Sequence, residues 1–313
     1  MKEMQHQSQN LIGTTCAICG TDRHDKILYL PNFNPDDLSF ETFSARRLPD
    51  RVHYQIVRCR QCGLVRSNPI LDEKTLNRLY QGSHFTYANE SLFAAETYAL
   101  YLKKAFAYAE PGGRLLEIGC GNGSFLRKIK PLGFKELCGI EPSQEAVDNA
   151  GELKPWIKTG MFGPGIYPSN HFDMICAFQV FDHISRPNEF LSQCREILRP
   201  GGIALFINHD IGSPAAKLLG RKCPMIDIEH TILYDKKTIR KIFVKNGFEA
   251  LDVFDVANRY PLSYWLKLAP LPKTLKGGLL NSIQNSSFEK IPVTFSLGNM
   301  GIIARAPKGK SDG

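Results

Sequence analysis

Residues 115–123, Leu-Leu-Glu-Ile-Gly-Cys-Gly-Asn-Gly, limit what this chain can fold into more than any other stretch. Leu115 to Ile118 read as a short buried strand. Gly119, Gly121 and Gly123 then make a tight turn, and 124–130 continues at helical spacing. A strand that passes through a glycine turn into a helix brings backbone amides close to a ligand at the switch point of a sheet. The same alternation runs on to about residue 256. Strand character returns at 137–141, 172–178, 203–208 and 248–256, and helical spacing at 144–154, 187–198 and 235–247. Asp235 caps the last of these helices and Gly247 stops it. Short β-rich runs separated by amphipathic helices predict an α/β chain with a doubly wound, parallel sheet. A final strand-like run follows at 301–304.

The first third of the chain is built differently. It holds two helical stretches, 72–80 with Leu76 and Leu79 on one face, and 91–109 with Leu92, Tyr98, Leu102 and Phe106 in step. Pro111-Gly112-Gly113 ends the second. Upstream of both lie Cys16-Ala-Ile-Cys19-Gly20 and Cys59-Arg-Gln-Cys62-Gly63. A two-residue spacing lets both thiolates of a pair face one ion, and the following glycine permits the turn that aims backbone amides at the sulfurs. Two such pairs complete a closed tetrahedral site, so we expect Cys16, Cys19, Cys59 and Cys62 to hold a structural Zn²⁺ in a small ribbon. One redox CxxC is the alternative for either pair, but it does not account for two. The expected organisation is a zinc-ribbon module at 1–70, a helical linker or lid at 71–110, and the α/β domain at 111–313.

Composition excludes several classes. With 43% hydrophobic and 22% charged residues the chain is neither disordered nor fibrous. No apolar run approaches the ~20 residues that span a bilayer. The first ten residues contain no apolar stretch of the kind a secretory signal carries, so a cytoplasmic address is expected. Nine cysteines, an odd number, fit that setting better than a disulfide framework. The net charge of +8 suits an anionic partner. Lys236, Lys237, Arg240, Lys241 and Lys245 form a basic side on one helix, which reads as a solvated face.

The glycine turn has a recognisable ligand chemistry. Glu141 ends the next strand 18 residues after Gly123, where a carboxylate can accept both hydroxyls of a ribose. A dinucleotide fingerprint would place its last glycine one residue later. Glu117, just before the turn, would repel a pyrophosphate but favour an ammonium group. An amino-acid head on an adenosine body meets both conditions, and S-adenosylmethionine is that ligand.

On these residues the chain resembles the class I S-adenosylmethionine-dependent methyltransferases. Residues 117–123 match their first motif and Glu141 their ribose acid. Phe172-Asp173-Met174-Ile175 with Val180-Phe181-Asp182-His183 is similar to their fourth strand and the loop after it, with Asp182 where Glu is usual. Leu198-Arg199-Pro200-Gly201-Gly202 matches the turn before the fifth strand. A narrower resemblance, to bacterial methyltransferases with an N-terminal four-cysteine domain, takes in Cys59-x-x-Cys62-Gly-Leu-Val, Asn68-Pro69, Glu229-His230 and the Tyr260–Tyr264 run. It implies a Rossmann-like methyltransferase sheet behind a small zinc ribbon, and methylation of a sugar or other small metabolite in polysaccharide, cell-envelope or secondary-metabolite biosynthesis.

The expected cofactor contacts are Glu117, Gly119, Cys120, Gly121, Gly123 and Glu141, with Met161 or Phe162 on the adenine and Gln179 beside the methyl group. His183 and His230 are the expected proton acceptors, and His209 also falls at a strand end. The acceptor should be a small, sugar-like molecule methylated on oxygen or on an acidified carbon. An RNA methyltransferase using ribbon and basic helix is the first rival reading. Against it, the aromatics do not interleave with the basic residues as a stacking platform would. A non-catalytic module that merely keeps the fold is the second.

Overall fold

Two short strands and an antiparallel meander carry the cysteine pairs. In the computed structural model, which describes residues 11–34, 38–43, 52–84, 88–269, 271–283, 286 and 291–308, β1 (Leu11–Ile12) pairs antiparallel with β5 (Ile70–Leu71). Between them, β2 (Asp25–Tyr29), β3 (Ile56–Cys59) and β4 (Val65–Ser67) form the meander. The polar first ten residues, and the last five, lie outside the described residues. Arg66 is fully buried on β4, and its guanidinium donates to both carboxylate oxygens of Asp25 at 2.9 and 2.6 Å, which a charge out of water requires. α1 (Glu73–Gln81) starts where Asp72 accepts from the Thr75 amide at 3.0 Å, and it buries Leu76 and Leu79 as their spacing predicts. α2 (Ala88–Ala105) leads to the α/β domain.

That domain runs β6 (Arg114–Ile118), α3 (Ser124–Ile129), β7 (Glu136–Glu141), α4 (Gln144–Asp148), β8 (Ile157–Thr159), β9 (Phe172–Phe178), α5 (Pro187–Ile197) and β10 (Leu198–His209). α6 (Pro214–Leu219), β11 (Ile232–Leu233), α7 (Lys236–Lys245), β12 (Glu249–Pro261), α8 (Leu262–Leu268), α9 (Lys273–Ile283) and β13 (Pro292–Arg305) complete it. Seven strands lie side by side in the order β12-β13-β10-β9-β6-β7-β8. The chain order reverses between β6 and β9, so the ends of these two strands open the crevice in which such sheets bind ligands.

The fold corrects three expectations. The sheet is mixed, because β13 runs antiparallel to both neighbours, β10 and β12. The chain leaves β12, makes α8 and α9, and returns beside it as in a long hairpin, whereas a parallel return would need a crossover across the sheet face. The run at 301–304 is only the buried end of that 14-residue strand, whose earlier half is too exposed to show an apolar pattern. The helix expected over 144–154 stops at Asp148, because Gly151 adopts φ +60° and Pro155 follows, so 151–156 winds as a tighter 3₁₀ turn.

The cysteine meander is fastened to the methyltransferase-like sheet in two ways. β11 pairs antiparallel with β4 and so adds a fourth strand to the meander from far along the chain. Cys16, Cys59 and Leu64 belong to the same buried cluster as Phe181, Phe206 and Phe243. The basic side of α7, read from sequence as solvated, serves as part of this joint. Lys245 donates to the carbonyls of Ala17 and Ile18 at 2.6 and 3.0 Å, and Lys241 to that of Cys62 at 3.2 Å. Main-chain carbonyls are good acceptors for an ammonium group.

Candidate functional site

A cavity of about 930 Å³ opens at the carboxyl ends of β6, β7, β9 and β10. Its two ends differ in construction. At one end the glycine turn presents main chain. Gly119, Gly121 and Gly123 have φ of +71°, +53° and +72°. A Cβ on Gly119 would collide with Val180 Cγ2, so the loop after β9 lies directly against the turn. Gly123 stands at the head of α3 and packs toward Leu153 and Ile157 instead of bordering the cavity. Cys120 gives the cavity its backbone while its thiol sits over Gly139, where any Cβ would strike the sulfur.

Two acids flank this turn, Glu117 buried and Glu141 half-buried. Glu141 accepts from the amides of Gly121 at 2.9 Å and Ser143 at 3.0 Å, one on each oxygen. Burial raises its pKa, and those two amides oppose the rise. Glu117 is buried, and its Oε2 has no hydrogen-bond partner among the described residues. Burial, reinforced by the charge of Glu141, pushes its carboxyl well above the usual carboxylate range. Gln179 ends β9 at φ +56° with its Oε1 equally orphaned. Unpaired buried acceptors cost ~1–3 kcal/mol each, so this end of the cavity is built for a ligand that brings donors and positive charge. Met161 and Phe162 line the same wall, with the Phe162 ring 5.3 Å from that of Phe190. The residues present therefore fit S-adenosylmethionine: an ammonium group toward Glu117, ribose hydroxyls toward Glu141, and an adenine beside Met161 and Phe162.

The other end is made of side chains from four segments. Asp182, fully buried in the loop after β9, is their centre. Its Oδ2 lies 2.6 Å from His209 Nδ1 at the end of β10. Its Oδ1 lies 3.7 Å from His183 Nε2, and its Oδ2 is 4.0 Å from His230 Nε2, which reaches in from the segment before β11. Tyr80 of α1 closes the group, with its hydroxyl 3.2 Å from His183 Nδ1 and donating to the Glu229 carbonyl at 3.4 Å. His230 Nδ1 faces the Met225 carbonyl at 2.9 Å. Burial pulls His230 down to about 3 and lowers His183 as well, in spite of the Asp182 charge. Burial alone would raise Asp182, but the His209 hydrogen bond and charge, with His230 and His183, hold it far below the usual range.

The expected proton acceptors His183 and His230 thus meet in space, with ring centroids 4.9 Å apart. Two members of the group carried little signal in the sequence. Tyr80 looks like one more apolar residue of a helix, and Asp182 only like a variant of the usual Glu. Separately, the four cysteine sulfurs lie within 4.8 Å of one another, with Cys16–Cys62 at 3.4 Å and Cys19–Cys59 at 3.9 Å. Tetrahedral Zn–S bonds of ~2.3 Å put sulfurs ~3.8 Å apart, so the set fits one zinc. The Cys19 amide points at Cys16 Sγ at 3.5 Å, as the knuckle spacing predicts.

The profile of a family described as a methyltransferase domain matches residues 91–253. A protein of Mycolicibacterium smegmatis described as a probable S-adenosylmethionine-dependent methyltransferase is 24% identical over 60% of this chain and 68% of its own length. A ubiquinone biosynthesis O-methyltransferase of Caulobacter is 29% identical over 30% of this chain and 40% of its own. The chain thus spans less than half the length of that relative. The YcgJ protein of Bacillus subtilis, a solved structure, superposes with a TM-score of 0.48 at 18% identity, covering 68% of this chain and 99% of that one.

Proposed function

This chain belongs to the S-adenosylmethionine-dependent methyltransferases of the methyltransferase-domain family, and from that premise we propose that its acceptor is a small hydroxylated metabolite, a sugar or sugar nucleotide. One observation carries the reading. A single cavity joins the acid-flanked glycine turn to the Asp182 cluster, and about 930 Å³ is room for a donor and a small acceptor together. S-adenosylmethionine supplies a sulfonium methyl that an oxygen or carbon nucleophile can displace in line. What this chain adds is alignment and proton removal. Gly119 and Gly121 let the donor approach the backbone, Glu117 and Glu141 hold its ammonium and ribose groups, and the histidines at the far end meet the acceptor. The name of the Caulobacter relative, an O-methyltransferase of a small biosynthetic intermediate, supports the same class of acceptor.

Cys16, Cys19, Cys59 and Cys62 hold one Zn²⁺ in this reading, with no position left for a substrate. The rival acceptor, RNA, keeps the net charge of +8 as its support, but the basic helix is partly engaged within the chain. Lys241 and Lys245 are spent on knuckle carbonyls, Lys236 pairs with Asp255 at 2.6 Å, and Arg240 donates to the Ala250 carbonyl at 2.9 Å. A non-catalytic module that binds the cofactor would use the orphaned acceptors of the donor end but not the histidine cluster at the far end. No helix among the described residues is long and apolar enough to cross a membrane. Radiolabelled S-adenosylmethionine offered with a panel of nucleotide sugars, and separately with RNA oligonucleotides, tests the proposal. Label in the sugar fraction is expected, and label in RNA alone would refute it.

A further inference from the structure

The cluster around Asp182 holds three imidazoles, and hydrogen bonding gives each a different part. His230 Nδ1 faces a main-chain carbonyl, which only accepts, so that nitrogen carries the proton and Nε2 is bare. Protonating Nε2 would charge a buried ring whose nearest carboxylate oxygen is 4.0 Å away, beyond hydrogen-bond reach. His183 likewise has no carboxylate within hydrogen-bond reach. Its nearest carboxylate oxygen is at 3.7 Å, and its other nitrogen meets the neutral Tyr80 hydroxyl. His209 alone touches the carboxylate, with Nδ1 2.6 Å from Asp182 Oδ2.

That contact fixes the His209 tautomer. Nδ1 carries the hydrogen and donates to Asp182, so the lone pair is on Nε2. The side chain is 25% exposed and borders the cavity, whereas Asp182 is 1% exposed. His209 is also the one of the three that lies on a strand of the large sheet. It ends β10, in register with Asn299 of β13, and its own amide points at Asp182 Oδ2 at 3.5 Å. A base oriented by a buried carboxylate at its far nitrogen is the arrangement that lets an imidazole take a proton from a hydroxyl.

We propose that His209 Nε2 takes the acceptor's proton, with Asp182 as the positioning residue that sets its tautomer and balances its charge. The inference rests on the methyl-transfer reading above. As the acceptor oxygen forms its bond to the methyl carbon, the S–CH₃ bond breaks and its electron pair stays on sulfur, leaving S-adenosylhomocysteine. The O–H proton moves to Nε2, giving an imidazolium paired with Asp182, and passes to solvent after release. His230, bare at Nε2, accepts a hydrogen bond from another hydroxyl of the acceptor, while His183 shares one with Tyr80. The groups that face His209 are Asp182 and His183 from the loop after β9, Tyr80 from α1, and Asp227, Glu229 and His230 from the segment before β11.

The test needs no acceptor at first. Long-range ¹H–¹⁵N NMR on zinc-loaded protein with S-adenosylhomocysteine reads the tautomer of each histidine. His209 should be the Nδ1–H form in wild type, and Asp182→Asn should admit the Nε2–H form. An Nε2–H form of His209 in wild type would overturn the proposal. So would a second metal equivalent that binds wild type and is lost in Asp182→Asn, since Asp182 would then be a ligand. If Asp182→Asn does not fold, His209→Gln carries the test. With any nucleotide sugar that accepts label, its turnover should fall ~10²-fold or more while S-adenosylmethionine affinity by calorimetry is unchanged. Turnover within threefold of wild type refutes the assignment. A panel with no acceptor would count against the sugar reading, and the NMR result would still decide the proposal.

Discussion

The two ends of the cavity solve different problems. The donor end is one continuous strand, turn and helix, supplemented by Glu141 from the neighbouring strand, and it offers mostly backbone. The acceptor end offers side chains only, drawn from residues 80, 182–183, 209 and 229–230. A backbone site can be ruined by adding a methyl group but hardly by moving a distant element. A side-chain site of four segments depends on everything that keeps those segments in register. The segment that brings Glu229 and His230 is itself held by the cysteine meander. Ser67 donates its amide to the Thr231 carbonyl at 2.9 Å and its hydroxyl to that of His230 at 3.3 Å, and β11 continues the meander immediately after.

The four-cysteine site is therefore expected to matter to the acceptor end and not to the donor end, and Cys59→Ser is the strongest way to break that contrast. Small zinc modules draw ~10–16 kcal/mol of apparent folding energy from their ion, so no other single substitution should have so large an effect. Amide hydrogen exchange should show 52–71 and 223–234 losing protection together, while β6, α3 and β7 stay protected and S-adenosylmethionine still binds. Equal loss at both ends would mean that the molecule is one cooperative unit. Next in size is Gly119→Ala. A left-handed φ costs a non-glycine residue ~1–2 kcal/mol, and the clash with Val180 adds a similar overpacking term. Donor affinity should fall ~10²-fold, and Val180→Ala in the same chain should recover the steric part but not the backbone part.

Glu117 separates the ends by charge. Its folded-state pKa is raised, first by burial and then by Glu141. A raised carboxyl leaves stability intact below the ordinary carboxylate range, and that stability is lost as pH climbs through the raised value. The free wild-type protein should thus weaken toward neutral pH, whereas Glu117→Gln should not. We expect Glu117→Gln to gain ~1–3 kcal/mol in thermal or denaturant unfolding at pH 7, and to lose ~1.5–3 kcal/mol of S-adenosylmethionine affinity. A variant less stable in the free state would show that Glu117 has a partner of its own and serves the fold. The smallest effect should come from Lys245→Ala. Losing its two carbonyl contacts should cost about 1 kcal/mol of stability, read as an earlier urea midpoint, with donor affinity unchanged.

What was legible in the sequence follows the same division. The donor end could be read because its residues are neighbours in the chain and its glycines are needed for conformational reasons. Glu141 was legible because a strand end next to a glycine turn has few other uses for an acid. The acceptor end could be listed only as separate histidines. Nothing local to 182–183, 209 or 230 says that one buried carboxylate gathers all three, or that His209 is the one that touches it. The basic side of α7 misled for a related reason. Lysines at helical spacing look solvated until the carbonyls they meet, some 180 to 230 residues earlier in the chain, are placed beside them. The antiparallel course of β13 was hidden because strand direction is a matter of connection, which apolar periodicity does not record.

The strand pairing between β4 and β11 also bears on how this protein can be cut and recombined. A truncated version beginning at α2 would keep every residue of the donor end, yet β11 would lose β4, the strand it pairs with, and leave its polar backbone bare. Cys16 and Cys59 would leave a hole in the cluster around Phe181 and Phe206. A chimera that exchanges acceptor specificity between relatives should therefore transplant the cysteine meander together with the segment from His209 to Leu233, as one inherited cassette, although they stand at opposite sides of the donor fold in the gene.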